Sequence, residues 1–232
     1  AMLTALEAYP DTVGLLHTAV NELLSVALSP NGSHLAAVGS DSALGSWLYL
    51  WDVQTHQLVG EPVPVQDPGF SWTFQTLAYS PDGRILASGA CGEFDEAGDC
   101  VLGEIALRDA KSGETIAGVR GHTSTVRGVV YDPTGTRLAS YGDESVLLWD
   151  VDNVRDVRLE RRLEGHTIPV SSAAFSPDGT SLATVSFDLD APLESVADLR
   201  HYVRLWDVET GAQVREFSFL GKGFYSLAFS SD

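Results

Sequence analysis

The side-chain types that carry out chemistry are present in this chain, but no catalytic or metal-binding pattern organises them. The sequence contains no Gly-x-Ser-x-Gly turn, no His-Glu-x-x-His motif and no phosphate loop ending in Gly-Lys-Ser or Gly-Lys-Thr. The histidines show no metal-ligand spacing either. The sequence therefore predicts no catalytic residue, no metal site, no cofactor and no enzyme activity. The six histidines are His17, His34, His56, His122, His166 and His201.

Cysteine chemistry is limited to one pair. Cys91 and Cys100 flank an acidic segment, and a hairpin there would bring the two thiols within range of a disulfide. In a reducing cytosol, however, thiols usually stay free. A zinc site needs four ligands, and no second ligand pair lies nearby. Asp95, Glu96 and Asp99 match no calcium loop of known ligand order. The sequence leaves the bridged and the reduced forms open.

An internal repeat sets the positions of these side chains. Four similar turns follow four short apolar runs, with their prolines spaced by 51, 52 and 44 residues. A four-stranded blade takes roughly 40 to 45 residues, so the excess is expected to be loop. Three units continue to a Trp-Asp pair, and the second has Arg108-Asp109 there. The turns are Ser29-Pro30-Asn31-Gly32, Ser80-Pro81-Asp82-Gly83, Asp132-Pro133-Thr134-Gly135 and Ser176-Pro177-Asp178-Gly179, and the pairs are Trp51-Asp52, Trp149-Asp150 and Trp206-Asp207.

These features resemble the WD-repeat β-propeller family over about residues 13–232. The resemblance implies an all-β fold of four-stranded antiparallel blades, with four recognisable repeats and the first strand of a fifth. It divides the chain into a leader, residues 1–12, whose Ala1-Met2 start is typical of a tag remnant, and a propeller segment, residues 13–232. The units span about residues 18–62, 63–120, 121–163 and 164–217, with a partial unit at 218–232.

In that family a histidine, a serine or threonine, an aspartate and the tryptophan form a hydrogen-bonded tetrad inside a blade. The resemblance therefore implies structural tetrads in the third and fourth units. Because each buried polar group in such a chain has a partner, a tetrad fixes the register of the strands and has no catalytic role. The residues are His122, Ser140, Asp143 and Trp149 in the third unit, and His166, Thr184, Asp188 and Trp206 in the fourth.

The first two units depart from this pattern. The first has Ala37 in place of the hydroxyl, and the second has Phe70 and Arg108 in place of the histidine and the tryptophan. We therefore expect apolar contacts to hold the second blade together. Those contacts would come from Phe74, Leu77, Tyr79, Ile85, Leu86 and Leu107.

Four units and one strand are an awkward number for a propeller. Propellers close on themselves, and each blade needs neighbours to cover its faces. We expect this segment to be part of a larger ring. A closed ring of five blades and self-association of two chains through their open ends are the alternatives.

The charge of the chain restricts its partners. Its 232 residues carry 32 acidic and 14 basic side chains, a net charge of −18. Nucleic acids and anionic membranes attract basic patches, and the basic cluster here is limited to Arg158, Arg161 and Arg162. No apolar run is long enough for a transmembrane helix, and no secretory signal is visible. The expected partner is a protein or peptide, not nucleic acid or a membrane, and the expected compartment is the cytoplasm.

Partner binding is expected at one rim of the propeller. In the family, partners dock where the first strand of each blade begins, and Arg, Tyr and Trp are typical interface anchors. The resemblance therefore points to side chains at the start of those strands and beside one tetrad. They are Trp72, Thr73, Gln75, Thr125, Arg127, Pro169, Ser171, Phe187 and Tyr225.

Taken together, these features predict a non-catalytic scaffold that presents a rigid rim to protein or peptide partners. The alternative is a regulatory sensor domain of a multidomain ATPase or kinase. Leu6-Glu7-Ala8 is similar to a segment that precedes the first blade in bacterial signalling ATPases. A phosphate loop encoded upstream of Met2 would distinguish the alternative.

Overall fold

A computed structural model describes residues 22–41, 45–66, 74–187, 200–220 and 226–230. Every regular element within these ranges is a β-strand. The strands form four antiparallel sheets, each built from consecutive strands of the chain. The described ranges contain no helix with the length and apolar character needed to cross a membrane.

The four sheets correspond to the four repeats. In sheets 2, 3 and 4 the strands lie in sequence order, as in a propeller blade. Sheet 1 has five strands because its outer edge is split between two short strands, Gln57–Leu58 and Val63–Gln66, which both pair with the strand Gly45–Asp52. Sheet 1 comprises β1 (Glu22–Leu28), β2 (His34–Asp41), β3 (Gly45–Asp52), β4 (Gln57–Leu58) and β5 (Val63–Gln66); sheet 2 comprises β6 (Phe74–Tyr79), β7 (Ile85–Phe94), β8 (Cys100–Asp109) and β9 (Thr115–His122); sheet 3 comprises β10 (Gly128–Tyr131), β11 (Arg137–Tyr141), β12 (Val146–Asp150) and β13 (Arg158–Leu163); sheet 4 comprises β14 (Val170–Phe175), β15 (Ser181–Phe187), β16 (Arg200–Asp207) and β17 (Gln213–Leu220).

The repeated turns join the first strand of each sheet to the second. The last glycine of each turn has a φ between +71° and +76°, a region that strains other residues. Its backbone N–H donates to the carbonyl three residues earlier, as from Gly83 to Ser80 at 2.8 Å. In three of the turns a serine hydroxyl donates to the Asp or Asn side chain, as from Ser80 to Asp82 Oδ1 at 2.6 Å. The turn residues therefore specify this geometry locally.

The sheets pack face to face, with the innermost strands β1, β6, β10 and β14 side by side in that order. The core lies between neighbouring sheets, where buried apolar side chains from the two facing sheets pack together. Between sheets 2 and 3 it includes Ile105, Leu107, Val129 and Leu147. A hydroxyl on the inner strand adds a hydrogen bond to the next sheet, as from Val129 N–H to Thr76 Oγ1 at 3.4 Å.

The same inner-strand contact occurs at both ends of the stack. Leu77 N–H donates to Ser25 Oγ at 3.1 Å between sheets 1 and 2, and Leu227 N–H donates to Ser172 Oγ at 3.4 Å beyond sheet 4. Residues 226–230 therefore lie beside β14, where the first strand of a further blade belongs.

One face of sheet 1 is uncovered within the described part of the chain. Val26 and Leu28 on β1 are 58% and 57% exposed. The residues at the same repeat positions in sheet 3, Val129 and Tyr131, are 6% and 9% exposed because sheet 2 covers them. The exposed face of β1 is therefore as apolar as the faces that neighbouring blades cover, but no described residues cover it.

Candidate functional site

The third blade contains a complete chain of buried polar side chains. His122 ends β9, the outer strand of sheet 2, and its imidazole bonds to residues of sheet 3. Its Nδ1 lies 3.1 Å from Asp143 Oδ1, and its Nε2 lies 2.7 Å from Ser140 Oγ. Trp149 Nε1 donates to the same Ser140 oxygen at 2.9 Å. Because a carboxylate only accepts, Nδ1 of His122 carries a proton and donates it to Asp143.

Asp143 anchors this chain as a carboxylate. Burial alone would raise its pKa, but hydrogen bonds from His122 and Ser145 outweigh burial and hold the pKa well below its usual value. Thr123 adds two donors to Asp143 Oδ2, its backbone N–H at 3.0 Å and its hydroxyl at 3.1 Å. A carboxylate that is ionised and accepts this many bonds serves as a structural acceptor and is poorly suited to be a general base.

The fourth blade has the same hydrogen-bonded link between histidine, hydroxyl and tryptophan, but the proton of its imidazole is on the other ring nitrogen. His166 Nε2 lies 2.8 Å from Thr184 Oγ1, and Trp206 Nε1 donates to that oxygen at 2.8 Å. On the other side of the ring, His166 Nδ1 contacts Arg204 Nη1. A guanidinium has no acceptor, so Nδ1 accepts and the imidazole proton is on Nε2. Asp188, the fourth member expected from the sequence, lies outside the described residues.

Arg204 is the residue of this blade that the sequence analysis missed. It occupies the repeat position of Leu147, and its Nε donates to Glu216 Oε2 at 2.9 Å. Burial, together with the charge of Arg204, lowers the pKa of His166 to about 3. The imidazole is therefore neutral at physiological pH. One feature of the sequence could have indicated this residue: the fourth unit has an arginine two residues before its Trp-Asp pair, where the third unit has a leucine.

The second blade replaces the tryptophan with a buried arginine. Arg108 is 6% exposed; its Nε donates to Ser88 Oγ at 3.4 Å and its Nη1 to the Gly113 carbonyl at 3.2 Å. Ser88 holds the repeat position of Ser140, so a guanidinium N–H takes the place of the indole N–H. Burial lowers the pKa of Arg108, and the charge of Glu104 opposes that shift. The expectation of mainly apolar contacts omitted this polar link.

Apolar packing is nevertheless extensive in the first two blades. In the first, Ala37 leaves Trp51 without the tetrad hydroxyl, and the indole stacks on Tyr49 with ring centroids 5.5 Å apart. In the second, the leucines expected in the core are buried, and the tyrosine and isoleucine are half-buried beside it; the side chain of Phe74 is outside the described residues. The buried residues are Leu77, Leu86 and Leu107, and the half-buried ones are Tyr79 and Ile85.

Four of the nine rim residues expected to bind partners have described side chains. Arg127 precedes β10 and is exposed, and Thr125 beside it is half-buried. Pro169 and Ser171, at the start of β14, are half-buried, and the Ser171 hydroxyl donates to the Val185 carbonyl at 3.2 Å. Trp72, Thr73 and Tyr225 lie outside the described residues, as do the side chains of Gln75 and Phe187.

A polar groove of about 520 Å³ opens between the third and fourth blades on the side of this rim. Pro169 lines it, together with the exposed carboxylates of Glu144 and Glu164. Arg162, also in the lining, donates to Ser145 Oγ at 2.8 Å and to the Gly121 carbonyl at 2.9 Å. The sequence alone did not indicate this groove, because its lining comes from three separate segments, residues 123–124, 143–145 and 162–169, which only the fold brings together.

Cys91 and Cys100 form a disulfide, with Cα atoms 5.8 Å apart. They lie on β7 and β8, the two strands of the long hairpin of sheet 2. At the tip of the hairpin, Asp95 Oδ1 accepts the backbone N–H groups of Ala97 and Asp99, each at 2.9 Å. Of the two forms that the sequence left open, the structure has the bridged one.

Metal binding finds no support in the described part of the chain. No group of three or more histidine, cysteine, aspartate or glutamate side chains there could hold a metal ion. The buried titratable side chains of blades three and four instead bond to one another, His122 to Asp143 and His166 to Arg204.

Comparison with known sequences points to one family. The profile described as "WD domain, G-beta repeat" matches residues 113–150 and 157–190. WD repeat-containing protein SL1-17 of Schistosoma mansoni is 28% identical over 169 residues, which cover 59% of this chain and 52% of that protein. WD repeat-containing protein VIP3 of Arabidopsis thaliana is 26% identical over 139 residues, which cover 56% of this chain and 39% of that protein. The chain spans about half or less of the lengths of these relatives.

Solved structures show the same fold. The RRP9 WD40 repeats superpose with a TM-score of 0.64 at 20% identity, covering 90% of this chain and 54% of that one. A chain of the mitotic checkpoint complex gives a TM-score of 0.63 at 21% identity, covering 84% and 50%. Four-stranded antiparallel sheets, the repeated Trp-Asp turns and these similarities agree. Residues 113–150 and 157–190 are similar to WD repeats, and the chain has the β-propeller fold.

Proposed function

We propose that this chain is a non-catalytic scaffold that binds protein or peptide partners through one rim of the propeller. The proposal rests on the structural role of the Ser, Thr, His and Asp side chains in blades three and four. They are hydrogen-bonded to one another inside the blades, and the pKa values of Asp143 and His166 are displaced away from neutrality. These groups therefore stabilise the sheets, and Asp143 and His166 have no proton to exchange with a substrate near pH 7.

The groove between blades three and four supports a partner with basic side chains. Glu144 and Glu164 are exposed in its lining, whereas the one arginine there, Arg162, already donates to two protein oxygens. The net charge of −18 would speed the approach of a cationic segment. A similar fold within the mitotic checkpoint complex supports the more general expectation of protein partners.

Chemical crosslinking in a cell extract, followed by mass spectrometry, tests the rim. Arg127→Ala and Glu144→Lys change exposed side chains on the proposed binding side. Arg155→Ala is the matched control, since Arg155 is exposed on the turn after β12, at the opposite end of the strands. We expect the two rim variants to lose crosslinked partners without a change in Tm and the control to keep them. Unchanged crosslinks in both rim variants would refute the proposal.

The uncovered face of sheet 1 favours a second mode of protein binding, association with another blade. Val26 and Leu28 expose the same surface that the blade interfaces of this chain bury. A second copy bound through its open end would cover them. Sedimentation velocity over a range of concentrations tests this, because Val26→Lys should abolish any association that the unaltered chain shows.

Two further expectations remain predictions. Residence in the cytoplasm is one, and the Cys91–Cys100 bridge argues against it because the cytosol keeps most thiols reduced. Alkylation of free thiols in intact cells, followed by peptide mapping, would show which form exists. The other is a regulatory role within a multidomain ATPase or kinase, which a phosphate loop in the same reading frame would support.

A further inference from the structure

The first turn differs from the second and fourth turns by one side-chain amide. In the turn of sheet 1, Asn31 Oδ1 accepts three hydrogen bonds: from Ser29 Oγ at 2.8 Å, from the Ser33 backbone N–H at 3.0 Å and from Ser33 Oγ at 2.7 Å. The second and fourth turns have an aspartate at this position. All three donors lie on the amide oxygen, and none of these bonds involves the amide nitrogen.

The residue after Asn31 leaves the backbone nitrogen unshielded. Gly32 has a φ of +71°, and a Cβ at this position would meet no atom within 4 Å. A side chain on this residue would screen the nitrogen from Asn31 Cγ. The Gly32 N–H donates to the Ser29 carbonyl at 2.8 Å, a bond that must break before the nitrogen can attack. The contact that opposes attack is thus one backbone hydrogen bond.

We propose that Asn31-Gly32 is a self-modification site at which the folded turn promotes conversion of Asn31 to aspartate. The Gly32 nitrogen loses its proton and bonds to Asn31 Cγ, and the bond from Cγ to Nδ2 breaks. Nδ2 leaves as ammonia with that proton. Water then opens the cyclic imide. Cleavage between the Gly32 nitrogen and Cγ restores the main chain and leaves an aspartate side chain.

The donors around Oδ1 are placed to stabilise the charge that grows there during attack. An oxygen that becomes negative in the tetrahedral intermediate is stabilised by hydrogen bonds formed beforehand. Ser33 supplies two of the three donors, and its Oγ also lies 2.7 Å from His34 Nδ1. With the proton of His34 on Nδ1, the imidazole donates to Ser33 Oγ while Ser33 donates to Asn31.

The aspartate product fits the fold, since two other turns already contain it. Asp82 Oδ1 accepts from Ser80 Oγ at 2.6 Å and from the Arg84 N–H at 3.0 Å, as Asn31 Oδ1 does from its own neighbours. Hydrogen bonds from the turn, led by the serine hydroxyl, lower the pKa of Asp82. A carboxylate is therefore well accommodated here. The isoaspartate product would lengthen the main chain and break the turn.

Peptide mapping of the folded protein, incubated at neutral pH, tests the proposal. A synthetic peptide of residues 29–34 measures the rate without the folded turn, and Asn153, followed by the β-branched Val154, is the internal control. We expect Asn31 to convert faster in the protein than in the peptide, mainly to aspartate, while Asn153 stays intact. A rate in the protein equal to or below that of the peptide would overturn the proposal.

Two variants test separately the effect of the Ser33 donor on the rate and the fit of the aspartate product. Ser33→Ala removes one donor and should slow conversion in the protein on the order of ten-fold, less than for a buried oxyanion site because the turn is in water. The same change in the peptide should have no effect. Asn31→Asp should have a Tm equal to or above that of the unaltered chain. An unchanged rate in Ser33→Ala, or a clear loss of Tm in Asn31→Asp, would contradict the proposed role of the turn.

Discussion

The neutral imidazole of His166 predicts that the fourth blade weakens in mild acid. The side chain is 5% exposed, and burial and Arg204 lower its pKa to about 3. In the unfolded chain the pKa of a histidine is about 6.5. As the pH falls through 6.5 the unfolded chain therefore binds a proton that the folded chain does not. The stability that depends on the neutral imidazole is complete above pH 6.5 and is lost as the pH falls towards 3.

The size of this effect follows from the two pKa values. Between pH 7 and pH 5, proton binding to the unfolded chain lowers the free energy of unfolding by about 2 kcal/mol. Below pH 6 the loss approaches about 1.4 kcal/mol for each pH unit. Other groups titrate in the same range, so the total pH dependence of the protein will differ from this figure. The contribution of His166 has to be isolated by comparison with a variant.

Urea unfolding at pH 7, 6 and 5, followed by tryptophan fluorescence, makes that comparison. His166→Gln keeps a side chain that can hydrogen-bond to Thr184 but cannot titrate. The difference in unfolding free energy between the unaltered protein and this variant should shrink by about 2 kcal/mol from pH 7 to pH 5. Arg204→Met is the second variant; it removes a cause of the low pKa, so the pKa of His166 should rise.

Two results would refute the reasoning. The first is a difference between the unaltered protein and His166→Gln that does not change with pH. The second is an NMR titration in which the His166 ring protons shift between pH 6 and pH 7. Either result would mean that the imidazole is not held neutral by burial and by Arg204.

Three further predictions concern stability and can be measured by urea unfolding. Ser140→Ala should cost about 1–3 kcal/mol for each of the two buried partners left unsatisfied, and Ser140→Thr should restore most of the loss; a cost below 0.5 kcal/mol would show that the tetrad is dispensable. Cys91→Ser with Cys100→Ser should lower the unfolding free energy by about 3 kcal/mol, the value for a loop closed over ten residues, and reductant should abolish the difference from the unaltered protein. Gly128→Thr should be destabilising because a Cβ there would lie 1.9 Å from Tyr141 Cζ. Adding Tyr141→Gly should recover stability, since the double variant has the Thr-Gly pair that Thr76 and Gly89 form at the same positions of sheet 2. Failure to recover would contradict the equivalence of these positions in the two sheets.

Much of the fold could be predicted because its signals are local. The Ser-Pro-Asp-Gly turns bond within themselves, and the Trp-Asp pair ends in a turn where Asp207 Oδ1 accepts the Thr210 N–H at 2.7 Å. Both motifs fix their geometry from neighbouring residues, so four copies predict four sheets. The split outer edge of sheet 1 was not predicted, because no residue type marks the point where β3 changes partner from β4 to β5.

The candidate site was predictable only where repeats resemble one another. The third-blade residues His122, Ser140 and Asp143 follow the family pattern, and the structure joins them. Where the pattern breaks, the sequence names the odd residue but not its partner. Arg108 and Arg204 each take part in a buried chain of hydrogen bonds. An arginine in a predicted strand does not by itself indicate such a buried position or its partners.

By itself, the sequence determined the repeat, the positions of the turns, the all-β class and the acidic character of the surface. Only the tertiary structure decided which ring nitrogen of His122 and of His166 carries a proton, that Cys91 and Cys100 are bridged, and that a groove lies between the third and fourth blades. The physical reason is distance along the chain. Turns and strands depend on residues a few positions apart, whereas proton positions and grooves depend on atoms that packing between and within the sheets brings together.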